Sequence, residues 1–317
     1  MFAQLVLRKM TRSTELILAH GYCQHLAKSH YENFPVASIL LPKHLQQPIF
    51  VVYAFARTAD DIADEGIATN AERMQALVEY EEQLNDIEQG SEVTQSPIFM
   101  ALSDVVYSHQ LPIQLFHDLL TAFKQDISQG RYQTDGDILV YCRRSANPIG
   151  RILLHLAGER SMQKIKESDA LCTGLQLINF YQDIKQDLYE NNRLYLSLES
   201  LSRLGITEHN LDVTNTSKIA PLLRERYLFI NHLLMSAINL GAEVNGRMGW
   251  EIRTITLAGL FTLKKLSLQN NDNLSSRPRL TKYIILKVAS LSFLTPIYRQ
   301  VCLSMIKKII KLNQLYL

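Results

Sequence analysis

The stretch Tyr53-Ala-Phe-Ala-Arg57-Thr-Ala-Asp60-Asp61-Ile-Ala-Asp64-Glu65 constrains this chain more than any other. Ile49, Phe50, Val51, Val52, Tyr53 and Phe55 form a nearly unbroken apolar run that predicts a buried helix, yet four of the six residues from Asp60 to Glu65 are acidic. On a helix of about 3.6 residues per turn, Asp60 and Asp64 stack on one face and Asp61 is rotated by about 100°. Arg57 and Tyr53 lie one and two turns earlier on roughly the same side. Like charges at this spacing cost about 0.2 to 0.5 kcal/mol even when exposed, and several kcal/mol when desolvated without a partner. Something cationic therefore belongs between them.

The same device recurs at Asn179-Phe-Tyr-Gln182-Asp183-Ile-Lys-Gln-Asp187, after an apolar run of Leu171, Leu175, Leu177, Ile178, Phe180 and Tyr181. Asn179 stands one turn before Asp183 on the same stripe. Two such helices facing each other would enclose an oxygen-lined site for a hard cation. Magnesium suits it, because it is held by one or two carboxylates together with substrate phosphates. Either pair alone reads first as a solvated helix end. Two pairs, each with an amide or arginine on the same face, outweigh that reading. The residues thus point to a helical protein whose aspartates bind a diphosphate through Mg2+.

Composition narrows the alternatives. At 317 residues and 47% hydrophobic content the chain supports a real core, and a net charge of +2 leaves no nucleic-acid footprint. Cys23, Cys142, Cys172 and Cys302 show neither C-x-x-C spacing nor a disulfide framework. A reducing, cytoplasmic setting is expected, and Arg8, Lys9, Arg12 and Glu15 interrupt any leader-like run. The anomaly is residues 273–317: no acidic residue follows Asp272, against Arg277, Arg279, Lys282, Lys287, Arg299, Lys307, Lys308 and Lys311. Its uncharged piece, Val288 to Tyr298, has 11 residues and is too short to span a bilayer. Met305-Ile306 and Ile309-Ile310 alternate with Lys307, Lys308 and Lys311, a basic amphipathic pattern suited to an anionic membrane surface. A plain surface helix is the alternative. Peripheral contact with the inner face of the cytoplasmic membrane is the expectation.

Helical periodicity fills most of the chain and strand alternation is nearly absent. Residues 13–30 read as a helix broken by Tyr31-Glu-Asn-Phe-Pro35. The first aspartate helix starts near His44 or Pro48, with Pro48 tolerated in its first turn, and ends at Gly66. Thr69-x-x-Glu72 is a capping box opening a helix to about Gln89, and Pro97 and Pro112 open patterns at 97–109 and 112–129. Residues 137–158 form a helix bent at Pro148, and the second aspartate helix runs from about Glu167 to Glu190. Helices follow at 217–241, 247–269 and 280–312, the last broken near Pro296. The expected architecture is all-α, a single domain over 1–317, with about ten helices and no repeat.

Four motifs in order resemble the squalene/phytoene synthase family of head-to-head prenyl synthases, over roughly residues 20–270. They are His30-Tyr-Glu-Asn33-Phe34-Pro-Val-Ala-Ser38, Tyr53 to Asp64, Tyr141-Cys142-x-x-x-Ala146-x-x-x-Gly150, and Gln176 to Asp187 followed by Arg193-x-Tyr195. The first run and Cys142-Arg-Arg-Ser-Ala-Asn-Pro148 are similar to one branch, the hydroxysqualene-forming enzymes of bacterial hopanoid biosynthesis. The resemblance implies an isoprenoid-synthase-type helical bundle around a central cavity and a carbon-oxygen lyase, in a family that also contains prenyltransferases. The implied reaction converts presqualene diphosphate and water to hydroxysqualene and diphosphate, with two or three Mg2+ ions and no NADPH. A paralogue that forms presqualene diphosphate would be the pathway neighbour.

By family motif, Asp60, Asp61, Asp64, Asn179, Asp183 and Asp187 would hold the metal. Asn33, Arg57, Arg193 and Tyr195 would bind the substrate diphosphate. Tyr53, Arg57, Tyr141, Asn179 and Gln182 would be catalytic, the tyrosine rings bordering cationic carbons. Tyr141 reads equally as wall packing, and Arg277 and Arg279 as solvated loop cations or further diphosphate contacts. His30, Ser38 and Cys142 read as packing residues, since no triad-like base accompanies Ser38 or Cys142. Two positions depart from many relatives: Gln182 stands where they carry Arg, and Arg144 where they often carry Tyr. Both changes fit a cation quenched by water rather than hydride. Two other readings remain: a synthase joining two prenyl diphosphates to squalene, dehydrosqualene or phytoene, and a non-catalytic relative acting as an assembly factor.

Overall fold

The computed structural model describes residues 2–29, 41–91, 93, 96–208, 211, 216–269 and 277–314, with residues 2–12 and 216 given by backbone alone. The His30 to Ser38 motif, and Asn33 with it, lies outside the described residues. Among those residues every regular element is a helix, and none is long and apolar enough to cross a membrane. The chain falls into two compact units, residues 1–128 with 151–160, and residues 129–150 with 161–317.

The first unit contains α1 (Phe2–Ser29), α2 (Lys43–Asp64), α3 (Asn70–Glu88), α4 (Pro97–His109) and α5 (Gln114–Ser128). Its core forms around Phe55 of α2, which is fully buried and meets Tyr80 of α3, Phe99 of α4 and Phe116 of α5 at ring-centroid distances of 5.3, 5.8 and 5.3 Å. The Tyr80 hydroxyl donates to the Phe55 carbonyl at 3.2 Å, satisfying the polar tip of a buried ring. The Thr69/Glu72 capping box forms as expected. One expectation needs correction: α2 begins at Lys43, so Pro48 sits in its second turn. There it forfeits the bond to the His44 carbonyl, and its burial among apolar neighbours compensates.

The second unit contains α6 (Asp135–Ser145), the start of α7 (Asn147–Leu156), α8 (Met162–Gln182), α9 (Ile184–Tyr189), α10 (Leu198–Arg203), α11 (Thr216–Ser236), α12 (Ile238–Glu243), α13 (Gly246–Leu268), α14 (Lys282–Phe293) and α15 (Thr295–Gln314). α8 is its hub and packs on α6, α11, α12 and α13. Glycines allow the close approaches. A methyl group on Gly150 would overlap Ser168 Oγ and Cys172 Sγ of α8, and one on Gly259 of α13 would overlap Leu175 Cδ2. Gly150 thus closes its motif for reasons of packing.

Four of the long expected helices are broken, the one at 217–241 at Ala237, and with the short α10 this lifts the number among the described residues to fifteen. The pattern at 137–158 parts at Ala146, two residues before Pro148, which becomes the second residue of α7, where its missing N–H is tolerated. The second aspartate helix parts at Asp183 (φ −109°, ψ 13°), so Asp183 and Asp187 do not share one continuous helix. The Asp187 N–H still reaches the Asp183 carbonyl at 2.8 Å, which keeps the one-turn spacing. The last pattern parts at Leu294, and Pro296 becomes the second residue of α15.

The basic tail also needs correction. Met305, Ile306 and Ile309 are buried, and α15 packs on α11 and α13, so these apolar pairs build the core. α14 is fastened differently, by polar groups. Trp250 Nε1 donates to the Ala289 carbonyl (3.0 Å) and Ser292 Oγ (3.1 Å). The buried Arg253 donates to the carbonyls of Ser292 (2.6 Å), Phe293 (3.3 Å) and Gly241 (2.7 Å).

Candidate active site

The acidic end of α2 carries its own cation. Arg57 Nη1 lies 3.3 Å from Asp60, Nη2 lies 2.5 Å from Asp61, and Nη2 also pairs with Glu65. Burial pulls the guanidinium pKa down, but Asp61, Asp60 and Glu65 together leave it raised. One delocalised fork thus spans three carboxylates, a task that a point charge on lysine does poorly. Tyr53 is half-buried one turn below; burial, then the charges of Asp61 and Asp60, push its hydroxyl pKa up against the opposing pull of Arg57. Asp64 closes the helix on its exposed side.

At the second acidic end the carboxyls stay raised despite nearby cations. Asp183 forms a two-pronged pair with Arg277, whose Nε and Nη2 lie 2.5 and 2.7 Å from its two oxygens. Its carboxyl is still raised, chiefly by burial, with Arg277 and Arg279 opposing. Asp187 is pushed up to about 6: burial dominates and the like charge of Asp183 adds to it, while a 3.2 Å bond from Asn191 and the charges of Arg193 and Arg277 pull back. Two half-buried carboxylates one turn apart, with a counter-charge on one of them, are a donor set that a divalent cation would relieve. No three His, Cys, Asp or Glu side chains converge among the described residues, so a metal here would draw its remaining ligands from water and substrate oxygens.

The other residues singled out in the sequence occupy distinct positions in this unit. Asn179 is exposed on the last turn of α8, and its carbonyl accepts the Asp183 N–H at 3.0 Å. Gln182 donates its side-chain amide to the Pro278 carbonyl at 2.6 Å, which ties residues 277–279 over the acidic pair. The Arg193 N–H bonds the Asp187 carbonyl at 2.7 Å. Tyr141 and Tyr195 are buried in an aromatic cluster with Tyr132 and Phe180, in which Phe180 and Tyr195 stack at 3.6 Å and 4°. Arg144 is exposed at the end of α6.

Sequence reasoning passed over the network that supports this unit. Asp135, the first residue of α6, pairs with Arg226 of α11 and accepts bonds from Ser197 (2.7 Å) and Ser200 (3.3 Å). Arg226 and Arg203 each donate to Ser200 Oγ at 2.9 Å. The only trace in the sequence is the Thr134/Asp137 capping box, which marks the start of α6 and forms as such. Asn147 and Thr173, buried and bonded at 2.9 Å, add a second tie between α7 and α8.

The profile of the squalene/phytoene synthase family matches residues 27–283, which includes both acidic ends and the aromatic cluster. This chain belongs to the squalene/phytoene synthase family. Members of the family process prenyl diphosphates. The chain is 35% identical over 252 residues to a hydroxysqualene synthase of Rhodopseudomonas palustris, covering 78% of this chain and 83% of the relative. It is 33% identical over 228 residues to a hydroxysqualene synthase of Zymomonas mobilis, covering 71% and 75% respectively. The crystal structure titled squalene synthase HpnC from Alicyclobacillus acidocaldarius superposes with a TM-score of 0.74 at 32% identity, over 81% of this chain and 96% of that one. The all-α fold is therefore that of the squalene-synthase-type isoprenoid synthases.

Proposed function

We propose that this squalene/phytoene synthase family member converts presqualene diphosphate and water to hydroxysqualene and diphosphate. The observation that carries the reading is the Asp183/Asp187 pair, whose under-compensated carboxylates stand beside Arg193 and Arg277 in a family that handles prenyl diphosphates. The hydroxysqualene synthases at 33% and 35% identity favour this product. In the reaction the carbon–oxygen bond to diphosphate breaks and its electron pair leaves with the diphosphate. The cyclopropylcarbinyl cation rearranges, and water adds and loses a proton.

Asp60 and Asp64 at one acidic end, and Asp183 and Asp187 at the other, would hold Mg2+, with Asp61 and Asn179 as further oxygen donors. Magnesium bound there supplies positive charge that neutralises the departing diphosphate. Arg57 at the first acidic end, and Arg193 and Arg277 at the second, are delocalised cations suited to diphosphate oxygens. The aromatic cluster excludes water from its part of the unit, and its ring faces are compatible with a cationic neighbour. Gln182 contributes by fixing residues 277–279 in place.

A second reading has a specific observation behind it, because the superposed crystal structure is titled a squalene synthase. Purified protein with Mg2+ and without NADPH, given presqualene diphosphate or farnesyl diphosphate, separates the two. Hydroxysqualene and diphosphate are expected from presqualene diphosphate, with farnesyl diphosphate left untouched. Consumption of farnesyl diphosphate alone would assign head-to-head condensation. Release of diphosphate from neither substrate would make the chain a non-catalytic assembly factor.

The Arg277–Asp183 pair gives a separate expectation. Arg277→Gln removes the cation that now neutralises Asp183, so Mg2+ binding to the substrate-free protein should tighten about ten-fold by calorimetry, or ~1.4 kcal/mol. Turnover should fall in the same variant, since the guanidinium is then missing from the diphosphate. Unchanged Mg2+ affinity would show that Arg277 and the metal do not compete.

A further inference from the structure

α14 is built inside out. Its buried side chains are Val288 and the hydroxyl of Ser292, and its fasteners are the hydrogen bonds from Trp250 and Arg253. Tyr283 (74% exposed) and Leu286 (71%) stand on the opposite side one turn apart, and Phe293 (60%) follows at the end of the helix, where one side of its ring meets Trp250 edge-on at 5.2 Å and the rest is open. Ile285, Leu294 at the turn between α14 and α15, and Leu303 on α15 are exposed as well. A helix whose only task was to cover α13 would turn these side chains inward and leave serine outside.

The charged side chains that α14 and α15 contribute are all of one sign. Lys282, Lys287 and Arg299 are exposed, and residues 273–317 contain no carboxylate side chain at all. An aliphatic and aromatic stripe on helices whose own charges are all cationic matches the boundary between acyl chains and anionic headgroups. It matches a second copy of this chain less well, because the same lysines would then face each other.

We propose that the exposed face of α14, with Leu294 and Leu303, is a docking surface for an anionic lipid bilayer. Tyr283, Leu286 and Phe293 enter the interface, and Lys282, Lys287 and Arg299 meet the headgroups. This moves the membrane-contacting residues from the Met305 to Ile310 segment, whose apolar side chains pack inward, to the preceding helix. It deepens the reading of the reaction in one respect, since a C30 diphosphate would be collected from the same bilayer.

The test is co-sedimentation of the whole protein with phosphatidylcholine vesicles, plain or containing about one third phosphatidylglycerol, without substrate. Binding is expected only to the anionic vesicles. It should fall at least ten-fold in the Leu286→Glu/Phe293→Glu variant and roughly five-fold per lysine in Lys282→Gln/Lys287→Gln. All four positions are exposed, so Lys282→Gln/Lys287→Gln should unfold with the parent, and Leu286→Glu/Phe293→Glu, which loses the edge contact of Phe293 with the Trp250 ring, should unfold slightly earlier while remaining folded at the assay temperature. Failure of the parent protein to bind, or full binding by Leu286→Glu/Phe293→Glu, would overturn the assignment. So would concentration-dependent dimers that this variant abolishes, because the occupant would then be a second copy. Since no substrate is present, a negative result leaves the reaction assignment standing.

Discussion

Asp187→Asn is expected to leave the protein harder to melt and unable to turn over. Burial, with the neighbouring charge of Asp183 adding to it, holds the Asp187 carboxyl up at about 6 against an ordinary 3.8, despite the opposing pull of Asn191, Arg193 and Arg277. A folded-state value above the unfolded one means that the native protein binds the proton more tightly. That contribution to stability is complete below about pH 4 and is lost as pH rises through 6. At neutral pH and in chelator the parent therefore keeps a half-buried charge at a cost of ~1 to 2 kcal/mol, discounted for partial exposure. Asparagine removes the charge and retains the shape. Its melting temperature should exceed that of the parent at pH 7 to 8, and the gain should disappear near pH 4. Diphosphate release should fall on the order of 10³-fold, because a proposed metal ligand is gone. Equal melting curves at pH 7 would refute the account of Asp187 as a strained carboxylate, and undiminished turnover would remove it from the site.

Arg226→Ala should be the most damaging change outside the acidic ends. Its guanidinium is 12% exposed and serves Asp135 and Ser200, and Asp135 in turn accepts from Ser197. Removing one member of a buried ion pair costs about 3 to 5 kcal/mol; with Asp135 still 37% exposed, ~2 to 3 kcal/mol is expected here. The start of α6 and the segment carrying Tyr195 lose their common anchor. Urea unfolding should show the loss of stability, and turnover should drop even where the protein remains folded. Arg226→Lys should recover part of the stability, since it restores the charge without the fork. A midpoint within error of the parent would reduce the network to decoration.

The parts of this structure that were readable from the sequence are those set by local chemistry. The apolar run ending at Phe55 gave a buried helix because each of its side chains needed cover, and Thr69 with Glu72 marked a helix start because the reciprocal bonds close within four residues. The acid clusters announced their need for a cation, and Arg57 answers it from the same helix. What could not be read depends on distant partners. The lysine-punctuated pattern of α15 is the same whether its apolar side meets lipid or helices α11 and α13. Asp135 and Arg226 are 91 residues apart, and Arg253 is paired with backbone carbonyls, which leave no mark in a sequence. The break at Asp183 escaped notice because helical periodicity continues across it, while the side chain that holds Asp183 comes from residue 277.

That connection has a mechanical meaning. Arg277 grips the acidic pair, and Thr281, four positions later, caps α14 through the Ile284 N–H at 3.3 Å. A tether of this length spans at most ~14 Å and contains a proline, so it has little slack to absorb displacement. Movement of α14 is therefore transmitted along five consecutive residues to the carboxylate that Arg277 neutralises. The tail that looked like an appendage is wired by its shortest covalent route to the most sensitive charges in the second unit.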